Sequence, residues 1–354
     1  MYGFFALSIL SVSAQSRQNN QTLSTPPAQQ DVEELPVAPA GNDSKLVYAT
    51  DEYVEALSSK GQFSGVLLIA KNGSTIFKKS WGLGDRYFPL NVETQFNIGS
   101  IGKSFTALAI HQLVAKKKIK FTDPIKKFLP NYPNTEAAKK VTIQHLLDMT
   151  SGIGDFFGEQ FRAADKSHIR TLKDYFPFFA GRPLEFEPGT KTQYSNGAYI
   201  VLGAIIEKVT GKDYYTYIKN RIFLPLRMMK TDWYEHTTEG ENRATGYTWL
   251  NSSGIVDTVR RPNNDMLPKR GSSAGGCYST VENLLAYTVA LRKASFAPTS
   301  FKEREGFVLA GGFPGGNAVV DFNPASGYTI IVLSNYDPPI AEKIARHIHQ
   351  LLPR

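Results

Sequence analysis

Short β-type runs stand near both ends of this 354-residue chain, and a helical stretch separates them. Residues 64–70 and 74–81 flank Asn72-Gly73, and Asn-Gly between two such runs is typical of a tight hairpin turn. Three further β-rich runs, separated by Gly, Pro and Asn turns, lie at 307–309, 317–322 and 328–333. An α+β fold is therefore expected, in which early and late strands share one antiparallel sheet, helices flank it and a helical region is inserted between the strands.

The middle of the chain and its end show apolar residues at helical spacing. Gly211 is a helix-ending signal, and Ser279 with Glu282 has the spacing of a capping box. The predicted helices cover residues 51–58, 100–115, 142–147, 197–209, 213–222, 279–292 and 339–352.

The first 44 residues differ in composition from the rest of the chain. Phe4 to Val12 is a short run of apolar and small residues, and Val12-Ser13-Ala14 is a small-x-small cleavage pattern. Residues 1–14 are therefore expected to be a secretory signal peptide, although the usual basic start is missing. Residues 15–44 are polar and rich in proline, which predicts a disordered linker before a folded domain at 45–354. We expect an exported protein, periplasmic or secreted, without a transmembrane segment.

The net charge of +8 lies in the folded part, because residues 1–44 hold one base and four acids. Weak association with anionic envelope surfaces is one consequence, and a solvated basic face is the simpler interpretation. The lysine clusters lack interleaved aromatic residues, so no nucleic-acid partner is expected. Cys277 is the single cysteine, which excludes an internal disulfide. The six histidines show no zinc-ligand spacing, and neither a metal nor an organic cofactor is expected.

Ser100 and Lys103 form an S-x-x-K motif at the predicted start of a helix. A hydroxyl there is exposed, and the first backbone N–H groups of the helix face any anion that forms. The lysine, three residues on, lies on the same helix face. A neutral amine could take the hydroxyl proton, and a charged one could stabilise the alkoxide. On these residues alone, the motif is more typical of an ordinary helix start with a solvated lysine.

Tyr194 and Asn196 flank Ser195 on a loop that leads into the helix predicted over 197–209. Both side chains could point into one cleft, or Asn196 could cap the helix. Together with S-x-x-K, this Y-x-N pair resembles the first two motifs of the serine β-lactamase-related family. That family includes class C β-lactamases, D-alanyl-D-alanine carboxypeptidases, esterases and other penicillin-binding-like proteins. Residues 146–152, 188–196, 202–211, 225–226, 275–280 and 332–335 also resemble it, and the resemblance spans roughly 50–350.

The resemblance implies a β-lactamase/transpeptidase-like fold and acyl transfer to water. Ser100 would attack a carbonyl and form an acyl-enzyme. Tyr194, sharing a proton with Lys103, would act as general base, and Asn196 would bind a substrate amide. The backbone N–H of Ser100 would supply half of an oxyanion hole.

The family's third motif is a Lys or His followed by x-Gly on a strand that faces the serine. Its best match is Leu309-Ala310-Gly311, followed by Gly312. The glycines fit, and the N–H of Gly312 is the implied second oxyanion donor. Leu309, however, stands in place of the cation.

Two consequences follow from this departure. The pKa of free tyrosine is about 10, so a tyrosinate base needs nearby cations, which Lys191 or Arg270 would help Lys103 to supply. The missing cation also normally contacts the carboxylate of penicillins, cephalosporins and D-Ala-D-Ala peptides. The expected substrate is therefore a small-molecule ester, amide or peptide, with weak β-lactamase activity at most.

Alternatives remain open. A D-Ala-D-Ala carboxypeptidase or a true β-lactamase is one. A non-catalytic envelope binding protein with a retained cleft is another, favoured by Leu309 and disfavoured by the intact first two motifs. Arg260-Arg261 and Lys269-Arg270 are either surface charge or a replacement clamp for a carboxylate.

Overall fold

The computed structural model describes residues 42–85, 87–235, 242–251, 254–293, 295–301 and 306–352. The expected signal peptide (1–14) and the expected linker up to residue 41 lie outside the described residues. Helix α1 (Asn42–Ser59) begins three residues before the expected start of the folded domain. None of the described helices is long and apolar enough to cross a membrane.

After α1, the elements follow as strands, then helices, then strands with one helix among them, and a final helix, close to the order expected for this α+β chain. The strands of the described residues are β1 (Gly65–Lys71), β2 (Ser74–Trp81), β3 (Phe96–Asn97), β4 (Tyr247–Leu250), β5 (Val256–Pro262), β6 (Tyr278–Ser279), β7 (Phe307–Phe313), β8 (Gly316–Phe322) and β9 (Tyr328–Ser334). The helices that follow α1 are α2 (Gly102–Ala115), α3 (Thr135–Lys140), α4 (Ile143–Leu147), α5 (Glu159–Ala163), α6 (Leu172–Tyr175), α7 (Asn196–Thr210), α8 (Tyr214–Ile218), α9 (Val281–Leu291) and α10 (Ile340–Leu351).

Five strands form one antiparallel sheet in the order β2-β1-β9-β8-β7. The first strand of the chain therefore pairs with the last, and Gly65 lies opposite Ser334. Asn72 and Gly73 connect β1 to β2 with φ angles of 54° and 85°, the positive values that a tight type I′ turn needs. β7 lies at the edge of the sheet, and its open side faces the serine motif.

Two apolar cores lie on opposite faces of this sheet. Side chains alternate along β1, so Leu68 points into the front core and Leu67 into the back core. The back core is closed by α1 and α10, and the front core by α9 and the helical region between β2 and β6. Helix α2 belongs to the front core, and eleven of its fourteen residues are buried. This burial explains why the sequence of α2 is apolar on almost every side.

Four predicted helix boundaries are wrong. The helix predicted over 51–58 begins earlier, at Asn42. The helix predicted over 100–115 begins instead as a 3₁₀ turn, Gly99–Ile101, and α2 follows from Gly102. Ser279 belongs to β6, so the cap of α9 is Thr280, whose side chain accepts a hydrogen bond from the Asn283 N–H. The helix predicted over 213–222 ends as a π-helix, Lys219–Phe223. The predicted end of α7 at Gly211 is confirmed, with a left-handed φ of 67°.

Candidate active site

Ser100 stands on the 3₁₀ turn between β3 and α2. The turn is reached through Gly99, whose φ of 52° is a conformation that residues with side chains rarely adopt. A Cβ at Gly99 would lie 3.2 Å from the nitrogen of Gly312 and 3.2 Å from the carbonyl carbon of Gly311. Glycine at this position therefore lets the turn approach β7 closely, with Ser100 half-buried at the contact.

Lys103 lies one helical turn beyond the serine and is only 7% exposed. Its Nζ donates to Ser100 Oγ at 3.1 Å, to Asn196 Oδ1 at 2.6 Å and to the carbonyl oxygen of Ala274 at 2.5 Å. An ammonium group has three N–H donors and no acceptor. Two of the three contacts are oxygens that only accept, and the third is the Ser100 hydroxyl, which can accept or donate.

Tyr194 is the second polar group on the serine oxygen. Its Oη lies 2.6 Å from Ser100 Oγ. Lys103 Nζ lies 4.8 Å from the centroid of the Tyr194 ring, within the range of a cation–π contact. The Ser100 oxygen is therefore in hydrogen-bond contact with both Tyr194 Oη and Lys103 Nζ.

Ser195, and not Asn196, caps helix α7. The Oγ of Ser195 accepts a hydrogen bond from the Ala198 N–H at 3.0 Å. The interpretation of Asn196 as the helix cap is therefore wrong, and its side chain lies against Lys103 instead. The structure thus brings Ser100, Lys103, Tyr194 and Asn196 into one hydrogen-bonded group.

Asp155 completes this group and was missed from the sequence. Its Oδ2 accepts hydrogen bonds from the Asn196 backbone N–H at 3.1 Å and from Asn196 Nδ2 at 2.7 Å. Since a carboxylate only accepts, it fixes the amide so that Nδ2 faces Asp155 and Oδ1 faces Lys103. The Ala274 carbonyl was missed as well. Both residues adjoin family-like stretches, 146–152 and 275–280, which is the one signal that pointed towards them.

The match to the third motif lies on the edge strand β7. Side chains alternate along a strand, so Leu309 shares a face with Gly311, and Leu309 packs against the front core. A Cβ at Gly311 would lie 2.1 Å from the Ile98 carbonyl oxygen and 2.9 Å from the Ser100 nitrogen. The strand is thus in contact with the serine turn, and an apolar side chain stands where the family has a cation.

The cations expected to assist Tyr194 make their contacts with other groups. Lys191 Nζ donates to Gln193 Oε1 at 3.1 Å. Arg270 stacks 3.6 Å from the centroid of the Tyr215 ring and donates Nε to the Trp233 carbonyl. Lys191 and Arg270 are thus engaged with these groups, and Lys103 is the cation whose direct contact with Tyr194 the described residues show.

Arg260 and Arg261, which were considered as a replacement clamp for a substrate carboxylate, also contact other groups. Arg260 stacks 3.6 Å from the centroid of the Tyr336 ring. Arg261 forms an ion pair with Asp265, with Nη1 and Oδ1 2.9 Å apart. These contacts favour the interpretation of Arg260 and Arg261 as surface charge.

Other reactive groups do not compete with the serine. Cys277 is buried next to Gly102, and burial raises the pKa of its thiol, which makes it a poor nucleophile. Within the described ranges, no group of three His, Cys, Asp or Glu side chains could hold a metal ion. A cavity of about 710 Å³ opens beside β3 with Asn97 and Arg243 in its wall, but Ser100 does not line it. The hydrogen-bonded group around Ser100, rather than this cavity, therefore locates the site.

Comparisons with known proteins agree with this arrangement. The family model described as Beta-lactamase matches residues 50–352. The chain is 32% identical over 259 residues to penicillin-binding protein 4* of Bacillus subtilis; the match covers 70% of this chain but only 56% of that protein.

Two solved structures are similar over most of the chain. A penicillin binding protein from Bacillus halodurans has a TM-score of 0.75 at 27% identity, covering 84% of this chain and 99% of that one. The D-amino acid amidase from Ochrobactrum anthropi also has a TM-score of 0.75, at 22% identity, covering 87% of this chain and 98% of that one. These likenesses confirm the fold that the resemblance implies.

Proposed function

The chain belongs to the Beta-lactamase family, and from that premise we propose that it is a serine hydrolase that forms an acyl-enzyme at Ser100 and hydrolyses an ester or amide. One observation carries the proposal. The Ser100 oxygen lies between Tyr194 Oη at 2.6 Å and Lys103 Nζ at 3.1 Å, with both partners held by the fold. A nucleophile, a base within hydrogen-bond reach and a group that orients them are the parts that covalent catalysis needs.

Tyr194, sharing a proton with Lys103, is the general base in this mechanism. The pair accepts the proton of Ser100 through Tyr194 Oη while Oγ attacks the substrate carbonyl. The Asn196 Oδ1 and the Ala274 carbonyl hold Lys103 Nζ in place beside the serine oxygen. The proton then passes to the leaving alcohol or amine. Water attacks the acyl-enzyme by the same route, with Tyr194 again as the acceptor.

The backbone N–H groups of Ser100 and Gly312 form the oxyanion hole in this mechanism. Pro314-Gly315 is a two-residue turn, so the flanking Phe313 and Gly316 form a hydrogen-bonded pair. Bonded and non-bonded pairs alternate along antiparallel strands. The N–H of Gly312 therefore points to the open edge of β7, towards the turn that holds Ser100.

Leu309 narrows the substrate class. It lies on the front face of β7, two residues from Gly311 and so about 7 Å away along the strand. An apolar side chain there offers no partner to a carboxylate, and burying an unpaired carboxylate is costly. We therefore favour esters or amides without a carboxylate next to the scissile bond, including peptides of that kind, over penicillins and D-Ala-D-Ala peptides.

Export and envelope contact belong to the same proposal. The apolar run Phe4 to Val12, followed by Val12-Ser13-Ala14, supports secretion to the periplasm or outside the cell. The positive charge of the folded part supports weak association with anionic envelope surfaces.

The test is turnover and covalent labelling of the purified protein. Ser100→Ala should abolish hydrolysis of activated esters and labelling by a fluorophosphonate, and Tyr194→Phe should slow both acylation and deacylation. A panel of esters, D-amino-acid peptides and β-lactams then identifies the substrate class. Undiminished turnover in Ser100→Ala would exclude the mechanism. Absence of labelling in the wild type would favour the non-catalytic binding protein instead.

The substrate class has its own variant. Leu309→Lys should raise turnover of substrates that carry a carboxylate relative to those that do not. Val308→Lys is the matched control, because Val308 is the neighbouring residue on the opposite face and is already 44% exposed. If both lysine variants change the turnover of carboxylate substrates equally, Leu309 does not select the substrate.

A further inference from the structure

The peptide bond between Gly311 and Gly312 has its two polar groups in different surroundings. In a trans peptide the C=O and the N–H point in opposite directions. The carbonyl oxygen of Gly311 lies on the side of β8, where Gly311 and Ala318 form a hydrogen-bonded pair of the ladder, and it also accepts a hydrogen bond from Asn317 Nδ2 at 3.1 Å. The N–H of Gly312 therefore points the other way, to the open edge that meets Ser100. The hydrogen bonds that hold the Gly311 carbonyl thus also set the direction of the Gly312 N–H.

Asn317 adds a side-chain bond to the ladder bond on this carbonyl. It is 1% exposed, and its three side-chain hydrogen bonds run to two elements, one to β7 and two to α10. Nδ2 donates to Gly311 of β7 and, at 3.1 Å, to Glu342 Oε1 of α10. Oδ1 accepts the Ala341 N–H at 2.7 Å, near the start of the same helix. The amide can satisfy this set in one orientation only, because its donors and its acceptor are not interchangeable.

We propose that Asn317, oriented by Glu342 and the first turn of α10, is a positioning residue that aims the Gly312 N–H at the oxyanion. The inference rests on the proposed hydrolase function and deepens it. It links the back face of the sheet to the chemistry on the front face. A hydrogen bond on the carbonyl also polarises the peptide and strengthens its N–H as a donor.

Glu342 can orient Asn317 because its side chain is largely buried and its Oε1 accepts the hydrogen bond from Asn317 Nδ2. Burial raises the pKa of Glu342 above the ordinary carboxyl value. An oxygen of the carboxyl group can accept the Asn317 N–H whether or not the group is ionised. The orientation of Asn317 is therefore maintained in either state of Glu342.

The test replaces the Nδ2 group of Asn317, which donates to the Gly311 carbonyl, with an oxygen. Asn317→Asp keeps the acceptor for Ala341 but removes the donor to Gly311 and sets an oxygen against that carbonyl. Complete loss of an oxyanion donor lowers kcat by about 10²–10³-fold; misdirecting one should lower it by about 10-fold to 100-fold, with KM changing by less than about 3-fold. Glu342→Ala should lower kcat. Glu342→Gln keeps an acceptor oxygen, so its kcat should lie closer to that of the wild type.

A spectroscopic readout separates positioning from general damage. The carbonyl stretch of an acyl-enzyme falls in frequency when oxyanion donors bind it, so an isotope-edited infrared spectrum with a ¹³C-labelled activated ester reports their strength. The frequency should rise in Asn317→Asp. Asn335→Asp is the matched control: Asn335 is 2% exposed and its Nδ2 also donates to backbone carbonyls, those of Leu83 and Thr245. This control should lose stability without the frequency shift.

The two proposals fail in different ways. If the wild type forms no acyl-enzyme at Ser100, the hydrolase function fails. If it does, and Asn317→Asp leaves both kcat and the carbonyl frequency unchanged, only the role of Asn317 is overturned. Should Asn317→Asp not fold, the Glu342→Ala and Glu342→Gln pair decides: equal kcat and equal frequency in the two would overturn the inference.

Discussion

Gly311→Ala tests whether the close approach of β7 to the serine turn governs catalysis. The added methyl group would lie 2.1 Å from the Ile98 carbonyl oxygen and 2.9 Å from the Ser100 nitrogen. Carbon and oxygen need more than about 3 Å, so the strand and the turn must separate by about 1 Å. The backbone of Gly311 itself is no obstacle, since it is not among the glycines with positive φ.

The expected loss follows from that displacement. A shift of about 1 Å in a reacting group can lower turnover about 100-fold, which corresponds to about 2.7 kcal/mol of transition-state stabilisation. Overpacking should lower the free energy of unfolding by about 1–3 kcal/mol. The measurement is kcat/KM with an activated ester, together with thermal unfolding to show that the variant is folded at the assay temperature.

The matched control is Gly181→Ala. A Cβ at Gly181 would meet only Pro133 Cβ, at 3.9 Å, which is an ordinary contact. This variant should keep the activity and the Tm of the wild type. The expected loss is about 100-fold. If folded Gly311→Ala instead keeps a kcat/KM within about 3-fold of wild type, the close approach of β7 does not govern catalysis.

Two other predictions concern carboxylates. Asp155→Ala should lower kcat/KM by about 10-fold or more, because it removes both hydrogen bonds that Asn196 donates to the carboxylate, each worth about 1.5–3 kcal/mol, and frees the Asn196 amide to turn. An unchanged rate and an unchanged pH–rate profile would contradict this. Burial alone would raise the pKa of Asp43, but hydrogen bonds from Lys71 and Tyr328 outweigh it and hold the pKa below its ordinary value. The contribution of Asp43 to stability is therefore complete above about pH 4 and disappears as the pH falls through the lowered pKa. Asp43→Asn should cost up to about 1 kcal/mol at pH 7, and this cost should shrink as the pH falls below about 4, measured by urea unfolding; a cost that does not change with pH would count against the pairing.

Local patterns predicted most of the sheet because each strand carries its own signal. The β1–β2 hairpin was readable from Asn72-Gly73, whose positive φ angles the structure confirms. The predicted end of β7 at Leu309 was too early, since the strand continues to Phe313. Glycines weaken a strand when read alone; here the neighbouring serine turn leaves no room for a side chain at Gly311, and Pro338 leaves none at Gly312.

The candidate site was predictable where one segment holds a whole motif. Ser100 with Lys103, and Tyr194 with Asn196, could each be read within four residues. Asp155 could not, because its contact with Asn196 joins positions 41 residues apart and depends on packing. The choice of cap between Ser195 and Asn196 was also undetermined, since both residue types cap helices well and only the backbone geometry separates them.

The described part of the chain begins at residue 42, next to an end of the sheet that is remote from Ser100. Asp43 contacts Lys71 and Tyr328, which pair at one end of β1 and β9, and α1 closes the back core. Ser100 instead meets β7 on the front face, close to the hairpin that ends at the opposite end of the sheet. A tether or immobilising support joined ahead of residue 42 would thus attach at the opposite end of the sheet from Ser100 and on its other face, away from the hydrogen-bonded group of the candidate site.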